Sequence, residues 1–261
     1  MPYREHAPPP ALAAFVGCFW EIDGAASAHR VLPDGAMDVL FAAGDRGARV
    51  IGPMTRAIVT PADGGPWVVG VRFLPGAPLG LLGVAARELL DAVAHARDVW
   101  GAEGRSLDAR LVDAQSPTTA RAHLTETLLS RLEHASLPDP RLTRAVTTLT
   151  RAGGELPLPA VAVSVGLGER QLERLFVERV GYGPKLFARV LRLETATRAI
   201  RVPGSTLSWA SLATRCGYSD QAHLVREFRA LTGITPVVYA RERAMSEIDN
   251  TDLDDDAKVR P

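Results

Sequence analysis

Cysteine is nearly absent from this chain of 261 residues: Cys18 and Cys216 lie far apart and no CxxC pair exists. That argues against a zinc ribbon or a thioredoxin-like redox site and excludes a disulfide scaffold. Net charge is absent too. Lys+Arg and Asp+Glu number 30 each, which on its face argues against whole-protein attraction to nucleic acid or membrane. Long apolar runs are missing: every one falls well short of the roughly 18 to 20 residues that a membrane span needs. The start, MPYREHAPPP, has no basic stretch followed by an apolar one, so no signal peptide is read and a cytoplasmic protein without a membrane partner is expected. The signatures GxSxG, HExxH, GxxxxGK[ST] and GxGxxG are missing as well. No catalytic residue, cofactor or metal site is therefore expected, and the chain is not read as an enzyme. What remains is an ordinary globular composition, 46% hydrophobic and 23% charged, with length for one large domain or two smaller ones.

The zero hides a segregation. Residues 1–140 hold 12 basic and 16 acidic side chains, a net of −4; residues 141–243 hold 16 and 8, a net of +8; residues 244–261 hold 2 and 6, a net of −4. Fifteen of the 16 cations in the middle block are Arg and one is Lys185. Arg can fork two hydrogen bonds onto a phosphate or a guanine edge.

The texture of the chain changes along the same divisions and predicts an α+β protein. Residues 1–85 read as a β-rich, barrel-like domain: FVGCFWEI, HRVLPDGAMDVLF, ARVIGPM, AIVTPADGG and WVVGVRFLPG are short apolar runs between Gly, Pro and Asp, the pattern of strands and turns. Residues 86–140 read as a helical linker. AARELLDAVAHARDVW spaces Leu89, Leu90, Val93 and Ala94 helically, SLDARLVDAQ follows, and Ser116-Pro117 starts TTARAHLTETLLSRLEH. This segment could be a dimer seam or could pack on the β-rich domain. Residues 141–243 read as helical throughout, with one long helix near 184–202, and residues 244–261 as a disordered acidic tail.

The helical block holds one pattern twice. Leu158-Pro-Ala-Val161-Ala162-Val-Ser-Val-Gly166 leads through a turn to Leu172-x-Arg174-x-Phe176; Trp209-Ala-Ser-Leu212-Ala213-Thr-Arg-Cys-Gly217 leads to Leu224-x-Arg226-x-Phe228, with a turn one residue longer. Small Ala permits close helix crossing, and Gly permits a turn with positive φ. Two helix-turn-helix units joined by a long helix are expected. Leu172, Leu175 and Phe176 would face inward in the first, and Leu224, Phe228 and Leu231 in the second. Arg170, Gln171, Glu173 and Arg174 would point outward on one second helix, and Gln221, His223 and Arg226 on the other, where such helices reach base edges. Glu173 could instead pair with a neighbouring Arg.

The stretches GLGERQLERLFVERVGYGPKLFARVLRL and CGYSDQAHLVREFRALTGITPVVY resemble the DNA-binding domain of the AraC/XylS family of bacterial transcription regulators. The resemblance implies sequence-specific promoter binding, with base contacts at Arg170, Gln171, Arg174, Gln221, His223 and Arg226. Gly168 stands where the family often has a capping Ser, and Trp209 where Leu or Ile is usual. More loosely, LPDGAMDVLF, GVRFLPGA, ARELLD and VWG resemble a sensor-like domain found before this DNA-binding domain in some members. No ligand follows from that looser resemblance; resemblance to the AraC type alone implies a small effector at this position, with no effector site named.

Other features have plainer readings. His223 has no second ligand at metal spacing. Cys18 and Cys216 read as buried apolar residues. Asp34 and Asp38 could be an acid/base pair, but Pro33-Asp34-Gly35 reads first as a turn. Trp20, Trp67, Arg72 and Phe73 read as core before pocket lining. The expected function is a one-component regulator that binds double-stranded promoter DNA, tuned by a small effector or by homodimer formation. The alternatives are an enzyme-like N-terminal domain tethered to a DNA-targeting module, and a constitutive DNA-binding protein whose N-terminal half only dimerises.

Overall fold

The structure, a computed structural model, describes residues 3–24, 28–60, 65–201 and 208–245. The runs of Val, Ile, Phe and Trp form strands β1 (Tyr3–His6), β2 (Val16–Asp23), β3 (His29–Val31), β4 (Met37–Ala42), β5 (Arg49–Ile51), β6 (Ile58–Thr60), β7 (Trp67–Phe73) and β8 (Val93–His95). Six pair antiparallel in the order β1-β2-β7-β4-β5-β8, and β3 and β6 form a separate two-stranded ribbon. Pairing runs from β1 at one edge to β8 at the other, so the barrel-like expectation takes the form of a sheet with two edges.

Alternation along the strands divides the side chains. Phe19, Val39, Phe41, Val69, Val71 and Phe73 share one face and are buried. They pack under α1 (Leu79–Leu82), α3 (Ala102–Val112) and α4 (Pro117–Leu132) through Leu81, Leu82, Leu107, Leu111, Leu124 and Leu128. The linker helices thus pack on the sheet, one of the two arrangements expected. Ser116 caps α4 as expected, its hydroxyl accepting from Thr119 N–H. On the opposite face Cys18, Trp20 and Ile22 form a small cluster with Tyr3, Leu40 and Val68. Gly70 lies directly beneath the Trp20 indole, where a Cβ would collide with the ring.

The continuous helix expected over residues 85–100 does not form. A 3-10 turn, Ala86–Leu89, is followed by β8 and then by α2 (Ala96–Trp100). Asp91, at φ +53, breaks the helical path. Its carboxylate accepts from Thr55 N–H at 2.7 Å and from the Thr55 hydroxyl at 2.6 Å. Val93–His95 then satisfies the open edge of β5, a backbone requirement that side-chain periodicity does not report.

The C-terminal half is all-helical: α5 (Pro140–Arg151), α6 (Leu158–Ser164), α7 (Glu169–Arg179), α8 (Pro184–Ile200), α9 (Trp209–Arg215), α10 (Gln221–Thr232) and α11 (Pro236–Met245). α11 thus reaches past residue 244, where the acidic tail was expected to begin; residues 246–261 lie outside the described set. α5–α7 and the first half of α8 share one core around Phe176 and Phe187. α9–α11 and the second half of α8 share another around Phe228 and Tyr239. The two cores meet along α8.

The N-terminal unit touches both. Leu90 packs against the first core, and Leu32 is buried within the second. Gly35, at φ +81, lies against the Phe187 ring, with a Cβ position only 2.6 Å from its edge. Gly76 and Gly181 make similar approaches to Leu142 and to Pro53.

Candidate nucleic-acid interface

Both turns close in the same way. Gly166 (φ +69) and Gly217 (φ +72) take the left-handed conformation that favours glycine. The following residue donates back across the turn: Leu167 N–H to the Ala162 carbonyl, Tyr218 N–H to the Ala213 carbonyl, each at 3.0 Å. Ala162 and Ala213 are fully buried where the helices cross. Leu172 and Phe176, and Leu224, Phe228 and Leu231, face inward as expected; Leu175 is only half-buried. The linking helix α8 has 17 residues, about 26 Å at about 1.5 Å per residue.

Of the seven expected DNA-contacting residues, Arg170, Gln171, Glu173, Arg174, Gln221 and Arg226 are exposed and His223 is half-buried. All stand in the first two turns of α7 or α10, with Gln171 matching His223 and Arg174 matching Arg226 across the repeat. Arg170, Arg174 and Arg226 make no hydrogen bond or ion pair among the described residues. Four other cations of the block are committed. Arg189 pairs with Glu227, Arg198 with Glu194 and Arg141 with Asp139, and Arg192 lies 5.8 Å over the Tyr218 ring.

Three of the seven also serve the local structure. The Gln171 side-chain oxygen accepts from Gly168 N–H at 3.0 Å. Gly168 has no side chain to return the bond, so only half of a capping box is present. Glu173 rests its carboxylate on Gly183, where a Cβ would collide with it. His223 Nδ1 accepts from Ser219 N–H at 3.3 Å. A backbone N–H can only donate, so a neutral His223 carries its proton on Nε2, away from the turn.

α10 opens on a side-chain cap. Asp220 accepts from His223 N–H at 2.7 Å. That bond, helped by the Ser219 hydroxyl and Arg226, holds the Asp220 carboxyl below the usual carboxylate range.

In the N-terminal unit Asp34 and Asp38 converge on Arg72, a residue that the sequence reads as core before pocket lining. Arg72, opposite Asp38 in the β4–β7 register, places Nε 3.4 Å from Asp38 and Nη2 3.4 Å from Asp34. Trp20 Nε1–H donates to Asp38 at 2.8 Å, and Asp34 accepts from Ala36 N–H at 2.9 Å, the turn the sequence predicts. Burial pushes the Asp38 carboxyl up against the opposing pull of Arg72. Both carboxylates serve one guanidinium, an ion-paired anchor for the turn. A cross-strand Asp–Arg pair was findable from the polar residue interrupting each apolar strand. The Asp34 partner was not, because it lies in a loop.

Comparisons with known proteins fall along the same division. A family model of helix-turn-helix domains matches residues 161–242, and one described as a domain of unknown function, DUF6597, matches residues 4–95. Among solved structures, the chain is similar to a transcriptional regulator with an AraC-type DNA-binding domain from Chromobacterium violaceum. The identity is 32%, covering 40% of this chain and 93% of that one, with a TM-score of 0.37. It is also similar to the C-terminal domain of AraT, a response regulator from Geobacillus stearothermophilus, at 24% identity, covering 43% and 93%, with a TM-score of 0.38. ToxT from Vibrio cholerae O395 bound to (E)-4-(8-methylnaphthalen-1-yl)but-3-enoic acid is 9% identical, covering 92% and 99%, with a TM-score of 0.44. No curated protein matches. The weight rests on sequence: the helix-turn-helix match spans both repeated units, and the Chromobacterium protein is covered almost entirely. The chain belongs to the AraC/XylS family of DNA-binding transcription regulators.

Proposed function

We propose that this regulator reads DNA with both recognition helices, through Arg170, Gln171, Glu173 and Arg174 of α7 and Gln221, His223 and Arg226 of α10. The supporting observation is the contrast among the arginines. Arg170, Arg174 and Arg226 stand exposed on matching helices with no hydrogen bond or ion pair among the described residues, Arg226 feeling only the field of Asp220, while Arg141, Arg189 and Arg198 of the same basic block are spent on internal pairs. α8, about 26 Å long, sets the helices apart on the scale of one DNA turn, about 34 Å. One chain then addresses two successive major grooves in the cytoplasm. The N-terminal unit acts as the regulatory half, through a small effector or self-association, and its packing on both helical cores gives it a route to each recognition helix.

The test is fluorescence anisotropy on the chain's own promoter region. Wild-type affinity should fall steeply with salt, as phosphate contacts demand. Arg174→Ala with Arg226→Ala should weaken specific binding about 100-fold, since each base contact contributes roughly 1–3 kcal/mol. Unchanged specific affinity in the double variant overturns the assignment.

A further inference from the structure

The last carbonyls of a helix have no partner within it and must be satisfied from outside. At the end of α10 two of them are satisfied by the N-terminal unit, about 200 residues away in the chain. Arg30 Nη1 donates to the Thr232 carbonyl at 3.0 Å, across 202 positions of sequence. Ala57 N–H donates to the Leu231 carbonyl at 2.7 Å. Both donors belong to one small structure, the β3–β6 ribbon: Arg30 lies on β3 opposite Val59 of β6, and Ala57 directly precedes β6.

The guanidinium of Arg30 also faces Glu242 on α11, with N–O distances of 3.4 and 3.5 Å. Arg30 thus joins α10 to α11 around Gly233, the left-handed residue that ends α10. Two residues further on, Leu32 is buried in the α9–α11 core beside residues such as Phe228 and Tyr239. The chain then runs on through the turn at Asp34 into β4 at Asp38, both anchored on Arg72 of β7. One nine-residue segment therefore ties the second recognition helix to the main sheet of the N-terminal unit. Among the described residues the first recognition helix has no equivalent. Its end meets the 3-10 turn at Ala86 and Pro53 by packing alone, through Gly181.

We infer that Arg30 is a positioning residue for DNA recognition, setting the placement of α10 from the N-terminal unit. The inference rests on α10 being a DNA-reading helix. Arg30 grips the C-terminal end of α10, while Gln221, His223 and Arg226 stand in its first two turns. The ribbon supports the helix from behind the reading end and leaves that end uncovered. A cation is also favoured at a helix C-terminus. Loss of Arg30 leaves the DNA-facing residues intact but frees the helix that carries them, so its effect falls on one half of the operator.

The experiment compares the full-length chain with Arg30→Ala and Arg30→Lys by anisotropy and by footprinting on the promoter fragment the wild type binds. Arg30→Ala should weaken specific binding about tenfold, the scale of one or two displaced base contacts. Protection should be lost over the half-site read by α10 and kept over the half-site read by α7, with unchanged affinity for random-sequence DNA. Arg30→Lys, which can still donate to the Thr232 carbonyl, should recover most of that protection. A general loss of folding would lower both half-sites and nonspecific binding together, and Arg30→Lys then decides: failure to restore the α10 half-site in a folded chain overturns the inference. Unchanged protection in Arg30→Ala overturns it, as does tighter binding, which would make the ribbon a restraint on DNA binding. A wild type that binds no sequence specifically instead overturns the reading of α7 and α10 themselves.

Discussion

The two helix-turn-helix units share one sequence pattern and are held in place by different means. In the first, the recognition helix α7 begins at Gly168 and is capped only by the returning amide of Gln171. Its turn glycine, Gly166, faces open space, and its far end is held by packing. In the second, Asp220 caps α10, Gly217 is enclosed by Glu155 and Arg192, and two hydrogen bonds from the β3–β6 ribbon close the far end. The fold repeats because the buried positions repeat: Ala162 and Ala213, Leu172 and Leu224, Phe176 and Phe228. The supports differ because caps and enclosures depend on neighbours outside the repeat. α10 is therefore the more firmly held of the two helices, and its placement leans on hydrogen bonds from the N-terminal unit in a way that α7's does not among the described residues.

The sharpest test of this difference lies in the turns. Gly166→Ala places a Cβ in empty space, so its cost is the left-handed backbone alone, about 1 kcal/mol. Gly217→Ala meets the same cost and also drives a Cβ to 2.6 Å from Glu155 and 3.3 Å from Arg192. Those side chains must then shift, which brings the total to about 2 kcal/mol or more. Denaturant midpoints of the two variants measure the gap. Equal midpoints would show that the enclosure around Gly217 gives way freely and that the two turns are equivalent.

Much of this was legible in the sequence because it is local. A buried Ala four positions before a Gly, followed by spaced aliphatic and aromatic residues, fixes a helix, a turn and a second helix within some 20 residues. The segregated charge pointed to the right half of the chain. It did not show which arginines are free: Arg189 and Arg174 look alike in sequence, but a glutamate on another helix neutralises only Arg189. β8 was missed because its cause is the unsatisfied edge of β5, some 40 residues earlier. Arg30 left no local signal at all, since what it contacts are the carbonyl of Thr232 and the carboxylate of Glu242. Backbone demand and distant pairing are the parts of the fold that side-chain pattern does not carry.

A pH titration separates the two helix starts. Asp220 has its carboxyl lowered chiefly by the bond from His223 N–H. A group whose folded pKa lies below its unfolded value, about 3.9 for Asp, stabilises the fold above that value. The stabilisation is lost as pH falls through the lowered folded pKa. Gln171 does not titrate. On acidification, the protection of His223 N–H against exchange, taken relative to the intrinsic rate at each pH, should therefore fall before that of Gly168 N–H. The reverse order would show that the carboxylate cap is not what holds the start of α10.

The smallest expected effect tests whether the weak start of α7 can be made like that of α10. Gly168 sits at φ −76 and ψ 155, an extended conformation open to any residue, and a Cβ there meets only Gln171 Oε1 at 3.6 Å. Ser can enter without strain. Its hydroxyl can accept from Gln171 N–H while Gln171 continues to accept from the N–H of residue 168, which completes the reciprocal pair. Glycine is itself a tolerable cap, so Gly168→Ser should stabilise by only a few tenths of a kcal/mol, a rise of about 1 °C in melting temperature for a chain of this size. Asp220→Gly, the inverse change in the other unit, should lower it. If Gly168→Ser gave no rise while Asp220→Gly lowered the melting temperature, the Gln171 half-box alone would be a sufficient cap. The two helix starts would then differ in chemistry but not in strength.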